Sequence, residues 1–164
     1  MKIIISSGNG TGETTLAAFD NALKEAGIYN YNLIRLSSII PPDSELVEKK
    51  FESPENEYGN KLYVVLAEER TDQLGRSIAA GIAWYQWDDK RGVFAEHHDI
   101  VETLEADEAE RNVSKKLEAT IKDLCEFREI KFEREKIHMK ISSQEVNQKS
   151  ACSLVAAVYS SEPW

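Results

Sequence analysis

The sequence predicts an α+β fold in which helices cover stacked or broad sheets. Three observations lead there. β-Branched or alternating apolar runs recur at 2–6, 32–40, 61–68, 77–86, 93–98, 137–141 and 153–159. Two other stretches repeat apolar residues at helical spacing. The resulting order is β-α-β, a run of strands, a helix and two closing strands, which suits helices laid over sheets.

Each element has its own justification. Lys2-Ile3-Ile4-Ile5-Ser6 is a β-branched run that reads as a buried strand. Gly8-Asn9-Gly10-Thr11-Gly12 then reads as a turn. Thr14 or Thr15 caps a helix that reaches Ala26. Its apolar stripe is Leu16, Phe19, Leu23 and Ala26, and Gly27 ends it. The strand expected over 32–40 stops at Pro41-Pro42, which cannot donate to a ladder. The segment 41–60 holds three of the four prolines and many charges, so it reads as a long loop. Strands follow at 61–68, 77–86 and 93–98. A second helix spans 107–127, with Val113, Leu117, Ile121, Leu124 and Cys125 on one face. Ile137, Met139 and Ile141 alternate as one strand, and 153–159 is apolar enough for a buried last one.

The 164 residues fit a single domain, 1–164. A chain of this size buries roughly 70% of its unfolded surface and needs no disulfide or metal staple. No apolar run approaches the ~18 residues of a membrane span. The N-terminus turns polar too soon for a secretory signal. Cys125 and Cys152 have no motif spacing and read as reduced, buried thiols of a cytoplasmic protein. The net charge of −9 argues against nucleic-acid binding, which needs clustered Lys and Arg. It is compatible with a cationic small-molecule substrate.

Several segments invite chemistry. The glycines at 8–12 follow a strand and open a helix, where an anion can bind. The dinucleotide fingerprint, however, wants a third glycine where Glu13 stands, and a Walker A loop wants Gly-Lys-Ser/Thr where Gly-Glu-Thr stands. A structural role for these glycines is the simpler reading. Glu96-His97-His98-Asp99 resembles a metal cluster, but adjacent strand residues point to opposite faces, so no metal site is expected. Glu96 follows Val93-Phe94-Ala95, where lost solvation would raise a carboxyl pKa and make a proton donor. From local sequence alone, a strand-end surface acid is the simpler reading.

The sharpest feature is Ser37-Ser38, at the end of an apolar strand and before Ile39-Ile40-Pro41-Pro42. A rigid turn there can hold the Ser37 carbonyl and the Ser38 hydroxyl in a strained relation that suits an N-to-O acyl shift. In a regular strand, Asn32, Ile34, Leu36 and Ser38 share one face. Asp20 flanks the Phe19/Leu23 stripe, where a carboxylate seeks a cationic or hydrogen-bonding partner. Strand-end serines and boundary aspartates also serve purely structural ends.

Over nearly its whole length the chain resembles pyruvoyl-dependent arginine decarboxylases. The matching blocks are Gly8 to Gly27 (GNGTGETTLAAFDNALKEAG), Asn32 to Pro42 (NLIRLSSIIPP) and Gly92 to Glu96 (GVFAE). The chain departs from the family pattern in its charged 41–60 loop and in the His97-His98 that follows Glu96. The resemblance implies a four-layer αββα sandwich. It implies autocatalytic cleavage at Ser37-Ser38 into a small chain, 1–37, and a large chain, 38–164, that begins with a pyruvoyl group made from Ser38. Asp20, flanked by Leu16 and Leu23, matches the family's substrate-recognising aspartate and its apolar pair. Asn32 matches the asparagine upstream of the scissile bond, and Glu96 the acid that donates a proton.

By the same resemblance the protein is a lyase that takes L-arginine to agmatine and CO2, a step of polyamine biosynthesis. A Schiff base to the pyruvoyl group would serve as the electron sink, with neither pyridoxal phosphate nor metal. It would act as a homotrimer of cleaved protomers with active sites at the interfaces. Decarboxylation of another amino acid and an unprocessed, non-catalytic binding protein remain as alternatives.

Overall fold

The computed structural model describes all 164 residues. β1 (Lys2–Gly12) is longer than the β-branched run suggests, and the glycine segment is part of it rather than a turn. The cause is the helix packed over it, α1 (Thr15–Ala26). A Cβ on Gly10 would lie 2.3 Å from the Ala18 carbonyl oxygen, and one on Gly8 would lie 2.1 Å from that of Ala22. The glycines thus let a helix backbone rest directly on a strand backbone. Gly10→Ala should therefore cost about 3 kcal/mol or more, because both obstacles are main chain and cannot rotate away. The midpoint of urea denaturation checks this.

The Thr14 side chain caps α1 by accepting the Ala17 N–H at 3.1 Å, and Gly27 ends it with φ of 86°. The buried face is Ala18, Ala22, Leu23 and Ala26, with Phe19 partly covered. Leu16, expected in the stripe, is 68% exposed. The small Ala18 and Ala22 sit where the glycines allow close approach, which rotates the contact face away from Leu16.

The stretch expected as one strand over 32–40 is two. β2 (Asn32–Arg35) pairs in parallel with a later strand at 61–64, and β3 (Ile39–Ile40) pairs antiparallel with residues 92–93 in a different sheet. The segment expected to be a long loop contains β4 (Glu45–Glu48), which adds to the edge of β1 in parallel. Lys2 to Ile5 supply that edge with backbone groups that need partners.

The remaining elements lie where their patterns indicate, the strands longer than expected and the helix shifted by one residue: β5 (Lys61–Thr71), β6 (Arg76–Gln86), β7 (Gly92–Val101), α2 (Ala106–Glu126), β8 (His138–Val146) and β9 (Ser150–Glu162). One sheet has the order β2-β5-β9-β1-β4 and the other β3-β7-β6-β8. The layers are helix, sheet, sheet, helix. Three apolar clusters fill the gaps between them. Leu23, Leu62 and Leu154 lie under α1; Ile5, Ile82 and Phe94 lie between the sheets; Val113, Leu117 and Ile121 lie under α2. The fold is the expected α+β sandwich. Cys125 and Cys152 are buried and unpaired in different clusters. Burial pushes the Cys152 thiol up to about 12, so it is inert at neutral pH. No helix is long and apolar enough to cross a membrane.

Candidate active site

Leu36, Ser37 and Ser38 carry the chain from one sheet to the other. The Leu36 N–H still bonds the Val64 carbonyl at 2.9 Å, and its side chain packs between the sheets. Ser38 then turns with φ of 48°, a left-handed conformation that costs a serine on the order of 1 kcal/mol or more. Its carbonyl accepts the Phe94 N–H at 2.8 Å, which docks the segment onto β7. Pro41-Pro42 ends β3 after two residues.

The side-chain alternation of β7 decides what meets Ser38. Phe94 points between the sheets, and Glu96, two residues on, points the same way. Val93 and Ala95 face α2 instead. β3 covers only Gly92 and Val93 by pairing, so Glu96 lies on an open flank. There its two carboxylate oxygens accept the Ser38 Oγ hydrogen at 2.7 and 2.8 Å. Glu96 is exposed, not enclosed by the apolar run before it, because only Phe94 of that run shares its face.

The neighbouring histidines diverge as alternation requires. His97 Nε2 lies 2.7 Å from Thr120 Oγ1 of α2, and His98 Nδ1 lies 2.6 Å from Glu69 Oε2 of β5. Burial, with Lys116 and His98 nearby, pushes the His97 imidazole below its usual value. Asp99 turns back to α2 and holds Lys116 at 2.9 Å. The largest cavity, ≈610 Å³, is lined by Lys24, Tyr29, Phe51 and Tyr58 among others, not by Ser38 or Glu96.

Ser38 thus combines a left-handed backbone, a hydroxyl on a carboxylate and a carbonyl on a main-chain N–H. A family model described as pyruvoyl-dependent arginine decarboxylase matches residues 2–163. The chain belongs to this family.

Among named pyruvoyl-dependent arginine decarboxylases, that of Thermoplasma volcanium is 38% identical over 104 residues, covering 62% of this chain and 57% of the relative. That of Halobacterium salinarum is 40% identical over 110 residues, 67% of each chain. That of Methanothermobacter thermautotrophicus is 43% identical over 83 residues, about half of each. Matched stretches thus span 52–67% of these relatives' lengths.

Within one copy of this pyruvoyl-dependent arginine decarboxylase homologue, the fold joins Ser38 and Glu96 but not the rest of the expected set. Asp20 and Leu16 are exposed on α1, whose packing partners are β1, β9 and β5, while Leu23 is buried beneath it. Asp20 is therefore not at the edge of the buried face, since the stripe that would have placed it there is rotated. Asn32 does not share a strand face with Ser38, because β2 ends at Arg35 and the chain turns at Ser38. Its side-chain N–H donates to the Gly59 carbonyl at 2.6 Å.

Two groups that bond the backbone at residues 38 and 39 are not legible in the sequence. One is the Phe94 N–H, a backbone group that no residue type announces. The other is Tyr159 of β9, whose hydroxyl donates to the Ile39 carbonyl at 2.7 Å across 120 residues of chain. Its only signal is an aromatic ring in a strand that otherwise holds small and aliphatic residues until it turns polar.

Proposed function

We propose that the chain cuts itself between Ser37 and Ser38 and that the product, a small chain 1–37 and a large chain 38–164, decarboxylates L-arginine to agmatine and CO2. The observation that carries this reading is Ser38: left-handed, its Oγ on Glu96 at 2.7 Å and its carbonyl on the Phe94 N–H at 2.8 Å. Glu96 as a carboxylate accepts the Oγ proton as Oγ adds to the Ser37 carbonyl carbon. The C–N bond to Ser38 then breaks, and the nitrogen takes up a proton. The left-handed turn is relieved as the bond goes. The two segments are then joined only by the ester to Oγ; loss of the Ser38 Cα proton and cleavage of the Cβ–Oγ bond release Ser37 as a carboxylate and leave a dehydroalanine, whose imine tautomer takes up one water and releases one ammonia to give the pyruvoyl group. The residues present fit such a group, since an acid and a carbonyl-binding N–H converge on the one serine.

At position 38 the pyruvoyl group supplies an electrophilic carbonyl for Schiff-base chemistry with the substrate amine and an electron sink for loss of CO2. The residues around it do the rest. The Phe94 N–H stays on the carbonyl of residue 38, where negative charge develops. Glu96, protonated, returns a proton to the substrate Cα.

Asp20, flanked by Leu16 and Leu23, holds the guanidinium, and Asn32 joins the site by its match to the family's asparagine. The exposed positions of Asp20 and Leu16 suit a site completed by a second copy, in a homotrimer with its sites at the interfaces. No metal or pyridoxal phosphate enters this scheme, and agmatine would feed polyamine synthesis. One domain, residues 1–164, carries the whole reaction in this scheme.

Incubating purified protein with isotopically labelled arginine tests the reading. Labelled CO2 and agmatine should form, in preference to products from lysine, ornithine or citrulline. Absence of turnover by a fully cut protein refutes it. Asp20→Asn should still cut itself but raise KM for arginine by roughly thirtyfold or more, the cost of losing a charged partner. Unchanged arginine kinetics in that variant would remove Asp20 from the guanidinium.

A further inference from the structure

Tyr159 touches the site at a point no catalytic role yet explains. β9 alternates Val155 and Ala157 between the sheets, and Tyr159 continues that face. Pairing with β5 passes from Val64–Val158 to Tyr63–Ser160, so Tyr159 is the one extra residue of a bulge. Bulges re-aim side chains, often beside active sites. Here the bulge sends the ring to Phe94, edge-on with centroids 6.2 Å apart, and the hydroxyl to the Ile39 carbonyl. Burial, and then the charge of Glu96, pushes the phenol above its ordinary range, so it stays a donor at physiological pH.

The bonded carbonyl is one the sheet leaves unpaired. Phe94 N–H bonds the Ser38 carbonyl, so Ser38 and Phe94 form a hydrogen-bonded pair, and Ile39 opposite Val93 is the next, non-bonded pair. The Ile39 carbonyl therefore faces away from β7, on an edge strand only two residues long. We propose that Tyr159 is a positioning residue of this site: by holding the Ile39 carbonyl it keeps residue 38 against Glu96 and the Phe94 N–H, before the chain is cut and after, when residue 38 has become a chain end. The second half matters more. A cut at Ser37-Ser38 removes the covalent tether on one side of residue 38, and untethered chain ends fray. The anchors left are the short β3 ladder, the Phe94 bond and Tyr159. This inference rests on the self-cleavage reading above.

The test is Tyr159→Phe, which keeps the ring against Phe94 and removes only the donor. Self-cleavage, followed by intact mass, should slow about tenfold, the usual worth of one partly buried hydrogen bond. In the fully cut fraction kcat should fall about as much while KM for arginine stays within about twofold, the pattern of misplacement rather than lost binding. In the uncleavable Ser38→Ala chain, adding Tyr159→Phe should speed hydrogen exchange over 36–40 and at the Phe94 amide. Cleavage and kcat within about twofold of wild type would overturn the proposal, as would unchanged exchange. A drop in Tm with KM and kcat changing together would also overturn it, as a merely structural effect. If the wild-type protein neither cuts itself nor releases CO2, the proposed function falls instead. The exchange comparison, which needs no activity, then decides the role of Tyr159 alone.

Discussion

A Ser38→Ala chain is expected to stay whole, at the mass of 164 residues, under conditions in which the unaltered chain becomes two. The effect should be complete rather than graded, because the substitution deletes the hydroxyl proposed to attack the Ser37 carbonyl. The Ser38 hydroxyl already lies on a proton acceptor in the uncut chain, 2.7 Å from Glu96 Oε1. Ser37→Ala is the control. Ser37 contributes its carbonyl to the reaction, while its side chain is exposed, so this variant should still be cut. Intact mass spectrometry reads all three proteins, and hydrazine labelling reports the new carbonyl on the larger product. A wild-type chain that stays whole after prolonged incubation, with no hydrazine-reactive carbonyl, would end the self-cleavage reading. A Ser38→Ala chain cut at the same bond would show that another group attacks.

Glu96→Gln is the second large effect. The carboxylate is assigned two proton transfers at one place: accepting from Ser38 Oγ during cleavage, and donating to the substrate Cα during turnover. A glutamine can keep the hydrogen bond to Ser38 but moves no proton. Cleavage should therefore slow without stopping, since solvent reaches this exposed flank and can take the proton. In the processed fraction kcat should drop by ~10²–10⁴, the usual contribution of a positioned acid. KM should change little, because the proton moves only after substrate is bound. A CO2-release assay on equal amounts of processed protein makes the comparison. A kcat within about threefold of wild type, far short of that range, would leave water or another residue as the donor.

The elements of this protein could be read from local chemistry wherever periodicity and burial coincide. Val113, Leu117, Ile121 and Cys125 announce α2 because a helix laid on a sheet buries one stripe. Thr14 and Gly27 announce the ends of α1 because capping is a property of adjacent residues. Ser37-Ser38 before Ile39-Ile40-Pro41-Pro42 marked a strained turn, which the structure has at Ser38, between β2 and β3 rather than at the end of one strand. Local chemistry misled where a distant partner set the outcome. The glycines at 8–12 form a strand because α1 folds back onto them. The 32–40 run breaks because its two halves find edges in different sheets, β5 in one and β7 in the other. Leu16 is exposed because Ala18 and Ala22 offer the closer contact.

The division is the same at the site. The sequence by itself singled out the candidates: a serine pair, a glutamate on a strand and an aspartate on a helix. Only the tertiary structure decided which of them meet. Strand alternation and a short edge strand set Glu96 on Ser38, and a bulge far along the chain aims Tyr159 at Ile39. Each meeting depends on register between strands distant in sequence, and register is a property of the assembled sheets that no single segment carries.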